Sequence, residues 1–526
     1  MKIFGALFSA DSPDQQFGRI VADFTLLEAL IQENAFDQYH LFFQNQTEIT
    51  SFQSKFPSRN IYCFLLDDIP DKIRTTPYFV FHAFSPFLTK LIYLRDQFAP
   101  NPFPITGFTH SLAHQPLMSG YLYSLLAQPQ PYDGIICSCE SAKTTFSSLM
   151  TYLSESYNPL FKQALAFPGE LEIIPIGITP PTASPVSKQI LRNLLGLPED
   201  AVIFFSLSRF SPVTKMDLFS VLTMILNIKE ENLCFVFAGA TNGEQGYIQS
   251  IQQWITGHHM ENRIKLFPDI TDKDSFYKAA DVYFAPADNF QETYGITLIE
   301  AMKYGLPILA YDWDGYRNTV EEGQNGFLIS TYYLKGLPDF SRIAPIIGDK
   351  YALLYAQSMF VDQHQLLEKI QLLFSSENLR IQFGQNSSTR SQKYYWPTVV
   401  TQYMRFWTHL NEKAQIKNTG FKLPSLDFEH VFRHYPTTWL KDPHQIRLCS
   451  TQLSQKVDSQ LDVYEELKPY LHLETIQGIL AFFESPKLLA ELLRFLPVMM
   501  KEKAPEVVMF QVSWLLKQNF LEIKFK

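Results

Sequence analysis

The stretch Asp281–Ile329 reads DVYFAPADNFQETYGITLIEAMKYGLPILAYDWDGYRNTVEEGQNGFLI. It opens with a short apolar run, Val282 to Ala285, stopped by Pro286, the pattern of a buried strand that ends in a turn. A polar loop follows. Gly295 to Tyr304 then has helical periodicity, with Gly305 as its C-terminal stop. Pro307 to Tyr311 is a second buried strand. Strand, loop, helix and strand make one βαβ unit, and such units build parallel sheets whose ligands sit at the carboxyl ends of the strands.

The loop and the first helical turn carry the chemistry. Tyr294, Gly295, Ile296 and Thr297 fall where helix N–H groups lack intrahelical partners, and these donors, with the positive end of the dipole, suit a phosphate. Glu292 and Glu300 flank that turn with seven residues between them. A carboxylate repels phosphate, so these two are better suited to accepting hydrogen bonds from hydroxyls. A ligand with both phosphates and sugar hydroxyls, a nucleotide sugar, satisfies both demands. The plainer alternative makes Glu292 an acidic residue favoured near a helix N-terminus and Glu300 a solvated side chain. Glu300 lies about 40° from Ile296 on a helical wheel, so position alone does not force its burial.

The segment Glu292-Thr-Tyr-Gly-Ile-Thr-Leu-Ile-Glu300, followed by Ala301-Met302 and then Gly305-x-Pro307, resembles the E-x7-E signature of glycosyltransferase family 4. These are retaining enzymes of the GT-B fold, and the likeness runs over about residues 1–410. It implies an α/β chain with two Rossmann-like domains facing a cleft.

Composition agrees with a folded, multi-domain chain. The 526 residues suffice for two or three domains, with 46% apolar and 18% charged side chains. A net charge of −9 argues against a nucleic-acid partner. The 45 Phe residues are spread along the chain and read as core. The cysteines Cys63, Cys137, Cys139, Cys234 and Cys449 form no CxxC and no zinc spacing, and read as small buried thiols in a reducing compartment. No signal peptide or membrane span is legible, which points to a cytoplasmic protein with at most peripheral membrane contact.

In the first half, strand candidates at Ile3–Phe8, Tyr39–Phe43, Asn60–Leu65, Tyr78–Phe84, Pro104–Thr109 and Gly134–Ser138 alternate with helical stretches. Gly18 opens the first helix, where the resembled family has a Gly-rich loop near the donor; only Phe17-Gly18 of it remains here. His110 ends a strand. A lone His is usually structural, but the resemblance implies that it faces the sugar, with His82 and His114 as rivals. Ser138-Cys139-Glu140-Ser141 matches a scaffold turn of the family.

Leu171–Pro185 (LEIIPIGITPPTASP) is a strand followed by a Pro-rich linker and marks a domain boundary. It resembles the family's crossover, with Ile176 and Thr179 in place of the usual Asn and Asp. After the strand at Ala201–Leu207, Arg209 and Lys215 stand six apart, close enough to grip one diphosphate, Arg by two oxygens and Lys as a flexible point charge. The alternative is two exposed cations. The family pattern matches both, with Ser208 and Met216 in place of its glycines. The expected domains are 1–178, 179–395, a returning helix at 396–418, and 419–526. In that last segment the periodic apolar positions Ile479, Leu480, Phe483, Val508, Val512 and Leu515 read as a helical extension that could recognise an acceptor, pack on the rest of the chain, or bind a partner.

Two other motifs are decoys. Asp312-Trp313-Asp314 has the D-x-D form of a metal site in the other major glycosyltransferase fold, but its surroundings match a Gly-Gly turn of the resembled family. His258-His259 lacks HExxH framing. The resemblance therefore implies a donor site of Gly18, Arg209, Lys215, Glu292, Tyr294, Gly295, Ile296, Thr297 and Glu300. It assigns catalytic roles to His110, Arg209, Lys215 and Glu292, and implies no metal or other cofactor. The reaction expected is transfer of a hexose from a nucleotide-diphosphate sugar to a carbohydrate, lipid-linked or protein acceptor. A nucleotide-sugar-binding protein without activity is the rival. An NAD enzyme is disfavoured because GxGxxG is missing after the first strand.

Overall fold

A computed structural model describes residues 1–8, 18–56, 58, 60–113, 118–160, 165–181, 186–290, 292, 294–334, 336, 338–348, 350–414, 427–435, 445–449, 467, 470–492, 494 and 505–524. The chain falls into two compact units, Met1–Leu423 and Pro424–Lys526.

The first unit holds two parallel sheets. One is built from β1 (Ile3–Leu7), β2 (Gln38–Phe43), β3 (Ile61–Leu65), β4 (Val80–Ala83), β5 (Ile105–Phe108), β6 (Gly134–Cys137) and β7 (Glu170–Ile173), in the order β3-β2-β1-β4-β5-β6-β7. The other holds β8 (Val202–Leu207), β9 (Leu233–Gly239), β10 (Ile264–Pro268), β11 (Val282–Ala285), β12 (Ile308–Tyr311) and β13 (Gly326–Ile329), in the order β10-β9-β8-β11-β12-β13. Helices cover both faces of such sheets, so their strands are apolar throughout rather than alternating. In β9 all seven residues, LCFVFAG, are buried. In each sheet the chain winds outward from one central strand, returns, and winds the other way. The switch points lie between β1 and β4 and between β8 and β11, where α/β sheets open a crevice for ligands.

The two halves of this unit are stitched together. Ile178 donates to the Tyr394 carbonyl (2.8 Å) and accepts from the Trp396 amide (3.2 Å), so the outgoing linker and the returning chain run side by side. Gly177 makes that crossing possible, because a Cβ there would come within 2.3 Å of the Trp396 ring. Helix Trp396–Lys413 then buries Val399, Tyr403, Trp407 and Leu410 in the same core as Phe4 and Tyr39 of the first sheet. The Trp407 indole N–H donates to Thr106 Oγ1 at 3.0 Å. Aromatic packing supplies much of this core, as the spread of Phe along the chain implies.

Around residues 424–526 the described elements include helices Leu473–Phe482 and Pro505–Lys517, as the apolar periodicity predicts. Three short antiparallel strands join them, in the order Lys487–Leu488, Gln445–Leu448 and Leu521–Lys524. Ile446, Ile479, Phe483 and Leu515 form the core of this unit. Sequence periodicity missed the strands because runs of two to four residues are too short to establish a period of two. Among the described residues no helix is long and apolar enough to cross a membrane.

Beneath the first sheet, Arg95 and Asp133 form a fully buried two-pronged ion pair, Nη1–Oδ1 2.5 Å and Nη2–Oδ2 2.9 Å. Asp133 also accepts the amides of Ile105 (2.9 Å) and Gln130 (2.7 Å), fixing the start of β5 against the turn before β6. Burial disfavours the Arg95 charge, but Asp133 outweighs it and holds the guanidinium protonated. Removing one partner strands the other charge, so Asp133→Ala should cost about 3–5 kcal/mol. Urea unfolding followed by far-UV circular dichroism should show the first transition moving to lower denaturant by that amount.

Candidate active site

At the switch point of the second sheet lies a cavity of about 330 Å³. Each strand end there feeds a short loop. Leaving β8, the chain passes through Ser208 and Arg209 to Lys215, just before the helix Leu218–Ile225. Leaving β11, it passes through Pro286 and Glu292 to the helix Ile296–Lys303. Asn289, wholly buried, ties the two loops by donating its side-chain amide to the Val213 carbonyl at 2.7 Å.

Arg209, Lys215, Glu292, Gly295, Ile296, Thr297 and Glu300 all line this cavity. Glu292 is held in two directions: Lys215 Nζ reaches its Oε2 at 2.6 Å, and the Gly295 amide donates to its Oε1 at 3.1 Å. Burial pushes this carboxyl up, but Lys215, Arg209 and the Gly295 amide outweigh burial and hold it below the usual carboxylate range. Gly295 therefore does not keep a free donor, contrary to the expectation from the first helical turn. Its φ of 76° is left-handed, and a Cβ would meet the Tyr316 ring at 2.3 Å, so only glycine fits. The amides of Ile296 and Thr297 open the helix and lack carbonyl partners within it. Burial lowers the Arg209 guanidinium, and the Glu292 charge works against that.

Glu300 is 8% exposed. Lys273 Nζ lies 2.5 Å from its Oε1, and the Tyr277 hydroxyl donates to its Oε2 at 3.1 Å. Lys273 lines the cavity and escaped sequence reading. It lies 27 residues before Glu300, at the start of a different helix, and no local spacing links the two. The cavity thus sets three cations against two carboxylates, a balance that favours an anionic ligand.

Other expected site residues fall elsewhere. Tyr294 is buried, and its hydroxyl donates to the Ile176 carbonyl of the linker at 3.4 Å, away from the cavity lining. Gly18 opens helix Gly18–Gln32 and does not line the cavity; Phe17 lies outside the described residues. His110 follows β5 in the first sheet, with Nε2 3.3 Å from Asp23 Oδ1. Of its rivals, His114 lies outside the described residues. His82 is sealed in the core, with Nδ1 2.9 Å from Thr106 Oγ1, and burial drops its pKa to about 3. It is a neutral packing residue.

The decoys resolve on their partners. Asp312 accepts from Arg317 Nε at 3.1 Å. Burial first, then Glu292, pushes the Asp314 carboxyl up to about 7. The Ser141 hydroxyl donates to the Asp314 carbonyl at 2.9 Å, so the turn Ser138–Ser141 touches the second sheet's loops. Cys137 and Cys139 are buried thiols raised by burial to about 12 and about 11. His258 stacks on Trp254 at an exposed helix end.

Residues 187–336 match the family described as Glycosyl transferases group 1. The match covers less than a third of the chain. It spans the whole of the second sheet and every residue lining the cavity. D-inositol 3-phosphate glycosyltransferase of Stackebrandtia nassauensis is 24% identical over 210 residues, covering 38% of this chain and 46% of that protein. The enzyme of the same name from Xylanimonas cellulosilytica is 25% identical over 209 residues, covering 38% and 49%. The chain spans about half the length of these curated relatives. Among solved structures, Anabaena HepE in complex with UDP superposes with a TM-score of 0.56 at 17% identity, over 78% of this chain and 100% of that one. A glycosyltransferase from Rickettsia africae gives 0.56 at 12% identity, over 78% and 98%. At these identities the structures establish the GT-B fold.

Asp288, which accepts the Asp217 amide at 3.3 Å behind the Arg209–Lys215 loop, is raised by burial to about 8. The unfolded chain releases this proton near pH 4. The folded chain therefore binds more protons between about pH 4 and 8, and stability falls as pH rises through that window. Asp288→Asn should melt above the parent, by a margin that widens from about pH 5 to pH 8 in scanning calorimetry.

Proposed function

We propose that the chain is a retaining glycosyltransferase that moves a hexose from a nucleotide-diphosphate sugar to a hydroxyl acceptor without using a metal. The observation that carries this reading is the convergence of Arg209, Lys215, Glu292 and Glu300 on one cavity at the carboxyl end of the second sheet. The family match of that segment and the glycosyltransferase names of its relatives support it.

Cleaving the anomeric bond builds negative charge on the leaving diphosphate. Arg209, Lys215 and the Ile296 and Thr297 amides are arranged to meet that charge before it forms, which is where electrostatic catalysis gains most. The Lys215–Glu292 pair holds the ammonium in place in the free protein; a phosphate would take up one of its hydrogens while Glu292 turns an oxygen to sugar hydroxyls. Glu300, anchored by Lys273 and Tyr277, would hold the ribose. His110 would approach the sugar from the first sheet. For retention, the acceptor hydroxyl attacks from the face that the diphosphate leaves. Its oxygen bonds to the anomeric carbon as the carbon–oxygen bond to phosphate breaks, and a phosphate oxygen takes the proton. Two cations and two amides would offset the negative charge that a metal would otherwise neutralise.

UDP-glucose, GDP-mannose and ADP-glucose should be compared by thermal shift, since a ligand of the native state raises its melting temperature. One of them should shift the melt, and Lys215→Ala should lower its turnover roughly a hundredfold, or about 3 kcal/mol. Turnover unchanged by Lys215→Ala would remove that residue from the site. Excess EDTA should leave the parent rate intact, and a rate abolished by EDTA and restored by Mg²⁺ would refute metal independence.

A further inference from the structure

Between β13 and the helix Gln363–Ser375 the chain detours through residues 331–361. The family match ends at residue 336, so most of this segment lies beyond it. Two short strands, β14 (Thr331–Tyr333) and β15 (Met359–Val361), pair antiparallel, with helices Ala344–Ile347 and Lys350–Ala356 between them in the chain. None of its described residues lines the second sheet's cavity. Its inner side nevertheless meets both loops that do.

The first meeting is aromatic. Glu292 donates its amide to the Asn289 carbonyl at 3.1 Å, closing a tight turn with Phe290 inside it. The Phe290 ring packs against Trp313 at 5.1 Å, Tyr333 at 6.2 Å and Tyr355 at 5.7 Å. The Trp313 indole N–H donates to the same Asn289 carbonyl at 3.1 Å. Tyr355 is itself held. Its ring meets Phe340 at 5.4 Å and Tyr351 at 6.0 Å, and its hydroxyl accepts the Ser341 amide at 3.1 Å. Side chains alternate along a strand, so Tyr333 turns in to Phe290 while Tyr332 stacks on Phe360 on the opposite face.

The second meeting is polar. Gln357 donates to Asp217 Oδ2 at 2.8 Å, and Asp217 caps the helix after Lys215 by accepting the Phe219 amide at 3.0 Å. Gln357 is exposed, so water competes for its bond, and the rings supply most of the hold. The segment thus grips the chain two residues from Glu292 and two residues from Lys215, the pair joined at 2.6 Å in the cavity. A reacting group misplaced by about 1 Å can lose about a hundredfold in rate, so a grip of this kind bears on chemistry it never touches.

We propose that residues 331–361 are a brace that sets the Lys215–Glu292 pair, with Tyr355, acting through Phe290, and Gln357, acting through Asp217, as positioning residues. What the brace serves rests on the transferase reading above; the brace itself rests on these contacts.

The test uses the full chain with Tyr355→Ala, Tyr355→Phe and Gln357→Ala, and with Phe360→Ala as the outer-face control. Hydrogen–deuterium exchange read by mass spectrometry needs no donor. Peptides covering 286–298 should exchange at least about tenfold faster in Tyr355→Ala, and those covering 213–219 roughly several-fold faster in Gln357→Ala, with β5 and β6 at the parent rate. Tyr355→Phe, which keeps the ring, and Phe360→Ala should stay within about twofold of the parent. Exchange unchanged in both loops, or faster evenly across the chain, would overturn the inference. Turnover is then followed with whichever of UDP-glucose, GDP-mannose and ADP-glucose shifts the melt. Tyr355→Ala should lower kcat about tenfold in the parent but less than about twofold on a Glu292→Gln background, because a residue acting through Glu292 has nothing left to position there. Equal losses on both backgrounds would also refute it. Loops that respond in a chain that turns over none of the three would sink the transferase reading and leave the brace standing.

Discussion

The Glu292 carboxylate meets an ammonium on one oxygen and a helix-terminal amide on the other, and the second sheet's cavity is arranged around that double hold. A buried carboxylate is tolerable only with such partners. Satisfying it draws Lys215 from one loop and Gly295 from another to the same point. The left-handed glycine follows from this geometry, because the chain must turn sharply to present its amide back to Glu292 and still start a helix under the Tyr316 ring. Without a ligand the cavity is therefore internally neutralised in part. A diphosphate would bind by exchanging one partner of Lys215 for another, rather than by desolvating an unpaired cation.

The same economy appears at Glu300, whose two oxygens are taken by Lys273 and Tyr277. Of the two, Glu292 is held below the usual carboxylate range by its cationic neighbours. Among the described residues no cation forms an ion pair with Asp288 or Asp314, and burial pushes both carboxyls toward neutrality, against a weaker pull from Arg317 on Asp314. Within a short span of chain, then, acidic side chains differ in charge state according to whether a lysine reaches them.

In the first sheet the organising material is aromatic rather than ionic. Phe4, Tyr39 and Trp407 join the returning helix to the strands, and Phe8, Phe24 and Phe84 line the cavity at the strand ends. Edge-to-face rings hold one another in place with little rotamer freedom to lose. One half thus holds a cavity walled largely by aromatic rings and the other a cavity walled by paired charges.

The α/β class, most of the strands of the two parallel sheets, the loops that carry Arg209, Lys215 and Glu292, and the helix that carries Glu300 were legible in the chain alone. Buried parallel strands are written as unbroken apolar runs, and Gly and Pro mark where each ends. Contacts across long sequence separations were not legible. Lys273 joins Glu300 from 27 residues away, and Tyr294 points to Ile176 across 118 residues. The absence of His110 from the lining of the second sheet's cavity and the meeting of Ser141 with Asp314 likewise arise only when the sheets pack. Local periodicity records which face of an element is apolar; it holds no information about which element will lie opposite. That choice belongs to packing, and in this chain packing decides which charges are paired, which amide is already spent, and which aromatic rings are left lining a cavity.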